Sequence, residues 1–333
     1  MKKKGRGMAT IMFGYGYGEG FPDYSHATVE LKEDKTVLVR TAAADVGQGV
    51  LTVLSQITAQ MLSVPIGTVK IIQGDTHEAK NSGSTSATRQ TTFTGNAVKQ
   101  ACEDLLGKIY YYASLEFGSN YPELTVKDGK VFLNDNPERS LTFWDLKTIV
   151  EKRGEKLYGE GTYFPITYPP DAENGQAEKV YVAYTFMTQI IDVEVDTDTG
   201  IVEVKDVYTA LDCGKAINPV NVEGQIEGGT VQGIGMALME EQVIKNGITL
   251  NPNMTGYLVP TSMDIPNFHS ILVENEDAIG PFGAKGVGEP TIIATSPAVA
   301  DAIYNAIGVR FYELPITPEK VLKALKEKER VDV

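Results

Sequence analysis

The chain has 333 residues, 42% of them hydrophobic and 22% charged, which is ordinary for a soluble globular protein with room for two subdomains. Its formal net charge of −14 sets it against nucleic acid and anionic membrane surfaces, because both would repel it. No apolar run approaches the roughly 18 residues of a spanning helix, so no membrane partner is expected.

In chain order, residues 27–40 read as a β-hairpin. Val29 and Leu31 alternate with polar residues before a turn at Glu33-Asp34-Lys35, and Val37 and Val39 alternate after it. Leu51, Leu54, Ile57, Met61 and Leu62 then recur at helical spacing over 50–62, ahead of Pro65. A short buried strand follows at 69–72, a Ser/Thr/Gly-rich loop at 81–94 and a long helix at about 96–115. Residues 126–133 form a hairpin turning on Asp128-Gly129, and 141–152 a helix with the sole tryptophan, Trp144. The Gly-, Pro- and Tyr-rich stretch 154–176 reads as a linker.

Beyond it the pattern reopens with a hairpin over 190–204, turning at Asp196-Thr197-Asp198-Thr199-Gly200. A further strand, an Asp212-Cys213-Gly214 turn and a glycine-dotted helix come next. Two helices close the chain, one from Ser296-Pro297 to Gly308 and one begun by Thr317-Pro318. Hairpin, glycine turn and helix thus recur in both halves, as in an internal duplication in which each half offers a Gly–Gln element to one interface. Strands and helices mix irregularly, so the expected fold class is α+β, with subdomains at 1–153 and 154–333.

Four glycine motifs are candidates for chemistry. Gly47-Gln48-Gly49 lies between strand and helix, where free N–H groups point at an anion and a Gln amide both donates and accepts; a plain turn with a solvent-facing Gln fits too. Ser82-Gly83-Ser84-Thr85-Ser86-Ala87-Thr88-Arg89-Gln90 offers hydroxyls that can wrap phosphates, with Arg89 to pair with charge. Gly224-Gln225-Ile226-Glu227-Gly228-Gly229 puts glycine where a helix prefers alanine, for close approach of a cofactor or another backbone. Gly283-Ala284-Lys285-Gly286-Val287-Gly288-Glu289-Pro290 sets one carboxylate at the end of a tight turn, either as a general base or as an N-cap. In the alternating Gly14-Tyr15-Gly16-Tyr17-Gly18 region, Phe13, Tyr15 and Tyr17 either line a pocket for a flat ligand or cover a core. Cys102 and Cys213 are the only cysteines; two widely spaced thiols suit a reducing cytoplasm and cannot hold an iron–sulfur cluster, which takes about four. His26, His77 and His269 lack metal-ligand spacing.

In this order, and with Thr94-Gly95-Asn96-Ala97 after the Ser/Thr loop, the motifs resemble the molybdopterin-binding region of the xanthine dehydrogenase/aldehyde oxidase family over about residues 5–326. The resemblance implies that Glu289 is the catalytic base of a hydroxylation that takes its oxygen from water. It implies cofactor contacts from Gly47, Gln48, Gly49, Ser84, Thr85, Ser86, Ala87, Thr88, Gln90, Gln225, Gly286 and Gly288, with the Ala87 backbone near molybdenum. Phe13 and Tyr17 fall near the positions that flank substrate. The family's molybdenum region is about twice as long, and this chain matches its second half, similar in length and start to the medium molybdopterin subunit of bacterial nicotinate dehydrogenases. The implied cofactor is molybdopterin with molybdenum, in its cytosine dinucleotide form. The implied partners are a large molybdopterin subunit, an iron–sulfur subunit, an FAD subunit and a small N-heteroaromatic substrate. A purine hydroxylase and a non-catalytic scaffold are the alternatives.

Overall fold

The computed structural model describes residues 1–331. Strand β1 (Lys2–Tyr15) leads into the hairpin β2 (Ser25–Leu31) and β3 (Val37–Thr41), helix α1 (Val50–Leu62), β4 (Val69–Gln73) and the long helix α2 (Gln90–Phe117). A small sheet of β5 (Leu124–Lys127), β6 (Lys130–Leu133) and β7 (Ser140–Thr142) precedes α3 (Phe143–Lys152) and β8 (Tyr158–Tyr163). The second hairpin, β9 (Ala183–Asp196) and β10 (Val202–Asp212), is followed by α4 (Pro219–Leu238). Two short strands, β11 (Ile244–Lys245) and β12 (Ile248–Thr249), come before β13 (Asn267–Val273), the one-turn α5 (Pro290–Ile293), α6 (Thr295–Ile307) and α7 (Pro318–Val331).

The expected hairpins and the helix at 50–62 are all present. The helix expected at 96 starts earlier, at Gln90, so Thr91–Gly95 is helical rather than loop. The expected linker 154–176 contains β8, which pairs antiparallel with β2. Its glycines misled the reading because they serve packing. A Cβ on Gly159 would lie 1.9 Å from the Ala101 carbonyl oxygen of α2, and one on Gly161 would lie 2.0 Å from that of Ala97. β1 was missed for the same reason, since a Cβ on Gly5 or Gly7 would lie 2.0 or 2.1 Å from the Ala302 or Ala298 carbonyl oxygen of α6.

The residues divide into two compact units that interleave along the chain, rather than meeting at 153/154. The α2 unit comprises Gly14–Ala183 and Glu276–Gly286; the α6 unit comprises Met1–Phe13, Tyr184–Asn275 and Val287–Val333. A boundary at 153/154 would strip β8 from β2 and α2. It would also part β1 from β9, its neighbour in the sheet.

The units share one plan. The α2 unit has the strand order β4-β3-β2-β8, with β3 and β4 parallel, and α1 and α2 pack beside that sheet. The α6 unit has the order β1-β9-β10-β13, with β10 and β13 parallel. There Ile191, Val193, Val195 and Val207 of the sheet cluster with Ile234 and Leu238 of α4 and Val299 and Ile303 of α6. Each unit therefore runs hairpin, helix, parallel strand, helix, with a Gly-x-Gly edge strand seated on an Ala-x-x-x-Ala helix face.

Candidate functional site

Gly47-Gln48-Gly49 leads into α1, with Gly49 in left-handed geometry at its N-cap. The N–H groups expected to await an anion already have one. The Asp45 carboxylate accepts from Gly47 N–H at 2.9 Å, Gly49 N–H at 3.3 Å and Leu51 N–H at 3.2 Å. Burial works against this charge, but donors from Gly47, Leu51, Gly49 and Val50 outweigh it and hold the Asp45 carboxyl below its ordinary range. The Gln48 amide folds back, accepting from Val46 N–H at 2.7 Å and donating to the Ala44 carbonyl at 3.0 Å.

Ala44 is where the first two motifs meet. The Thr85 hydroxyl donates to the Ala44 carbonyl at 3.1 Å and accepts from its N–H at 2.9 Å. The Gln90 amide donates to Thr85 Oγ1 and to the Ser84 carbonyl, each at 3.0 Å. Gln48, Thr85 and Gln90 thus form one connected set around a backbone unit that the sequence did not single out.

Arg89 is not available to a ligand's charge. Its side chain is fully buried and pairs with Asp23 at 2.7 Å. Nη1 donates to the Ser82 and Ser84 carbonyls at 2.9 Å each, and the guanidinium lies 4.7 Å over the Phe93 ring. Arg89 is the clamp that shapes the loop. Within that loop Ala87 and Thr88 both adopt positive φ, 52° and 54°, at a cost of roughly 1–2 kcal/mol each. The turn is braced by Gly16 N–H, which donates to the Ala87 carbonyl at 2.8 Å.

Tyr17 comes to the same loop. Its hydroxyl bonds to those of Ser84 and Ser86, the latter at 2.7 Å, and the two serines bond each other at 3.0 Å. Its backbone N–H donates to Asp23 at 3.0 Å, so the pair that fixes Arg89 also fixes the tyrosine. Tyr15 belongs to the core instead: it is fully buried, its hydroxyl donates to Asp277 at 3.4 Å, and burial raises the pKa of that hydroxyl. Phe13 is half-buried on β1 and belongs to the α6 unit.

The glycine turn also reaches the Ser/Thr loop. A Cβ on Gly286 would lie 2.0 Å from the Thr88 carbonyl oxygen, so only glycine lets these two backbones touch. Three residues on, Glu289 is exposed and precedes Pro290, the first residue of α5, without capping that helix through its side chain. Gly288 accepts at its carbonyl from the Thr291 hydroxyl at 2.6 Å. Gln225 is half-buried on α4, where the glycines divide by face. Gly229 and Gly233 pack on Thr291 and Thr295, with would-be Cβ contacts of 2.0 and 2.4 Å, whereas a Cβ on Gly224 or Gly228 would meet no atom within 4 Å.

The α2 unit therefore gathers Gln48, 84–90, Tyr17 and Gly286, while Gln225, Gly288 and Glu289 belong to the α6 unit. Among the described residues no three His, Cys, Asp or Glu cluster as a metal site, so the donors offered to a ligand are hydroxyls, amides and backbone groups. That donor set fits a pterin with phosphate oxygens, which brings its own metal ligands.

The family model of the molybdopterin cofactor-binding domain matches residues 1–266. The chain is 32% identical over 333 residues to the probable hypoxanthine oxidase XdhD of Escherichia coli K12, covering 97% of this chain and 32% of that one. It is 31% identical to the nicotine 6-hydroxylase large subunit of Paenarthrobacter nicotinovorans, covering 92% and 38%. Among solved structures, the aldehyde oxidoreductase of Desulfovibrio gigas superposes with a TM-score of 0.81 at 32% identity, over 98% of this chain and 33% of that one. The chain spans about a third of the length of these relatives. It belongs to the molybdopterin cofactor-binding domain family of the xanthine dehydrogenase/aldehyde oxidase proteins.

Proposed function

We propose that the chain is a subunit of a cytoplasmic molybdenum hydroxylase that oxidises an electron-poor ring carbon of an N-heteroaromatic compound. The net change is RH + H2O to ROH with two electrons and two protons released. The electrons leave through partner iron–sulfur and FAD subunits, and a large molybdopterin subunit completes the site. The observation that supports this reading is the donor-rich loop of the α2 unit, where Gln48, Thr85 and Gln90 join around Ala44 and the Gly286 backbone lies against Thr88.

When bound, molybdopterin cytosine dinucleotide supplies the two-electron chemistry. Ser84, Thr85, Ser86, Gln90 and Gln48 would hold it with hydroxyls and amides, the Ala87 backbone would serve on the side of its metal, and Gln225, Gly286 and Gly288 would add further contacts. The Tyr17 ring presents an aromatic face for a flat substrate, and Phe13 a second. Glu289 receives a proton at its carboxylate as the substrate is oxidised.

In the purified multisubunit complex, Glu289→Gln keeps its molybdenum content and loses turnover by about 10²–10⁴-fold, as expected when only a general base is removed. Turnover within a few-fold of the wild type would sink the role of Glu289. A purine hydroxylase is the second reading, favoured by the hypoxanthine relative; a panel of nicotinate, hypoxanthine and an aldehyde separates the alternatives by kcat/KM.

A further inference from the structure

Two sheets of one plan should dress their outer faces alike if both faced water, and they do not. On the helix-free face of the α2 unit, Arg40 pairs with Glu30 at 2.7 Å and with Glu78 at 2.6 Å, Lys80 pairs with Glu160, and His26 bonds Thr162 at 2.6 Å. That is a solvent face.

In the α6 unit the matching face carries one row across all four strands. Thr10 of β1 bonds Thr188 of β9 at 2.9 Å, Thr188 registers with Ala210 of β10, and Ala210 registers with Ile271 of β13. Side chains two residues away share the face. Among them are Met8 and Met12, Phe186 and Val273, and with Ile271 these are 61%, 65%, 47%, 42% and 57% exposed. Five large, exposed apolar side chains on one sheet face, with Ile190 and Tyr208 on its two central strands, are of the kind that marks a protein interface. At one end of the face Arg6 pairs with Asp192 at 2.7 Å, and His269 bonds Asp206 at 3.1 Å.

We propose that this face docks the companion polypeptide that supplies the part of the molybdenum-binding chain lying outside the matched third, the large molybdopterin subunit of the function proposed above, on which this inference rests. The relatives carry well over half their length beyond the match, enough to form such a body. A second copy of this chain is disfavoured because each carries a net charge of −14. An anionic bilayer is disfavoured for the same reason.

The test uses the full chain, tagged and co-expressed with its companion subunits. Ile271→Glu, and independently Met8→Glu on the opposite edge strand, lower recovery of the large subunit at least tenfold, while the thermal midpoint of the chain itself is unchanged. Thr28→Glu, on the outer face of the α2 unit, leaves recovery unaltered. Full recovery with both Ile271→Glu and Met8→Glu overturns the assignment of this face and leaves the proposed function standing. So does a wild-type homodimer, seen in the ultracentrifuge, that Ile271→Glu dissolves. Failure of the wild-type chain to recover any large subunit overturns both.

Discussion

A single buried ion pair sets the geometry of the candidate cofactor loop. Arg89 and Asp23 are 0% and 5% exposed, and through them the Ser82 and Ser84 carbonyls, the Tyr17 N–H and the Phe93 ring share one anchor. Removing one member of such a pair strands the other's charge in a dry site, at about 3–5 kcal/mol. Arg89→Met is therefore expected to cost the chain about 3–5 kcal/mol in urea unfolding. The double variant with Asp23→Asn should recover part of that loss, because no charge then remains buried; an additive loss would mean the two do not act as a pair. The sequence displayed the loop but not its clamp. Arg89 read as a ligand partner because Asp23 lies far upstream, and no local pattern joins them. Asp45 has no role in the sequence reading, although it begins an Asp-x-Gly turn running into Gly47-Gln48-Gly49, a signal that was legible.

Among elements, glycine was the residue type most often misread, because it has several physical uses. Residues 50–62 and the hairpins were legible because their apolar periodicity stands without tertiary context. β1 and β8 were not, since their glycines answer to helices elsewhere in the chain. α4 carries both uses, with Gly229 and Gly233 pressed on threonines and Gly224 and Gly228 facing open space beside Gln225. Two substitutions separate them. Gly161→Ala drives a methyl to 2.0 Å from the Ala97 carbonyl and is expected to cost about 1–3 kcal/mol or more. Gly228→Ala meets nothing and should stabilise the chain by up to about 1 kcal/mol, from helix propensity alone. In the assembled complex the same change should lower molybdenum content if α4 lies against the cofactor. Unchanged content with raised stability would remove Gly228 from that role.

For the molecule as a whole, the sequence disclosed that two similar units exist but not where each one's residues lie. A reading along the chain looks for one boundary, and the Gly/Pro/Tyr composition of 154–176 supplied a plausible one. The structure instead sends β1 to the α6 unit and keeps β8 and 276–286 with the α2 unit. The difference has a measurable consequence. A fragment 1–153 carries β1 without β9, and lacks β8, which leaves the β2 edge unpaired and the Ala97–Ala101 face of α2 uncovered. It should show no cooperative thermal transition by circular dichroism. A fragment 14–183 retains the whole β4-β3-β2-β8 sheet with α1 and α2 and should melt cooperatively. Its midpoint should fall below that of the intact unit, because it lacks Pro281, which fills the space beside Gly95, and the Ile279 carbonyl that Asn96 bonds at 2.8 Å. A cooperative 1–153 beside a molten 14–183 would restore the consecutive boundary, and the two Gly-x-Gly strands would then be accessories to the units rather than parts of them.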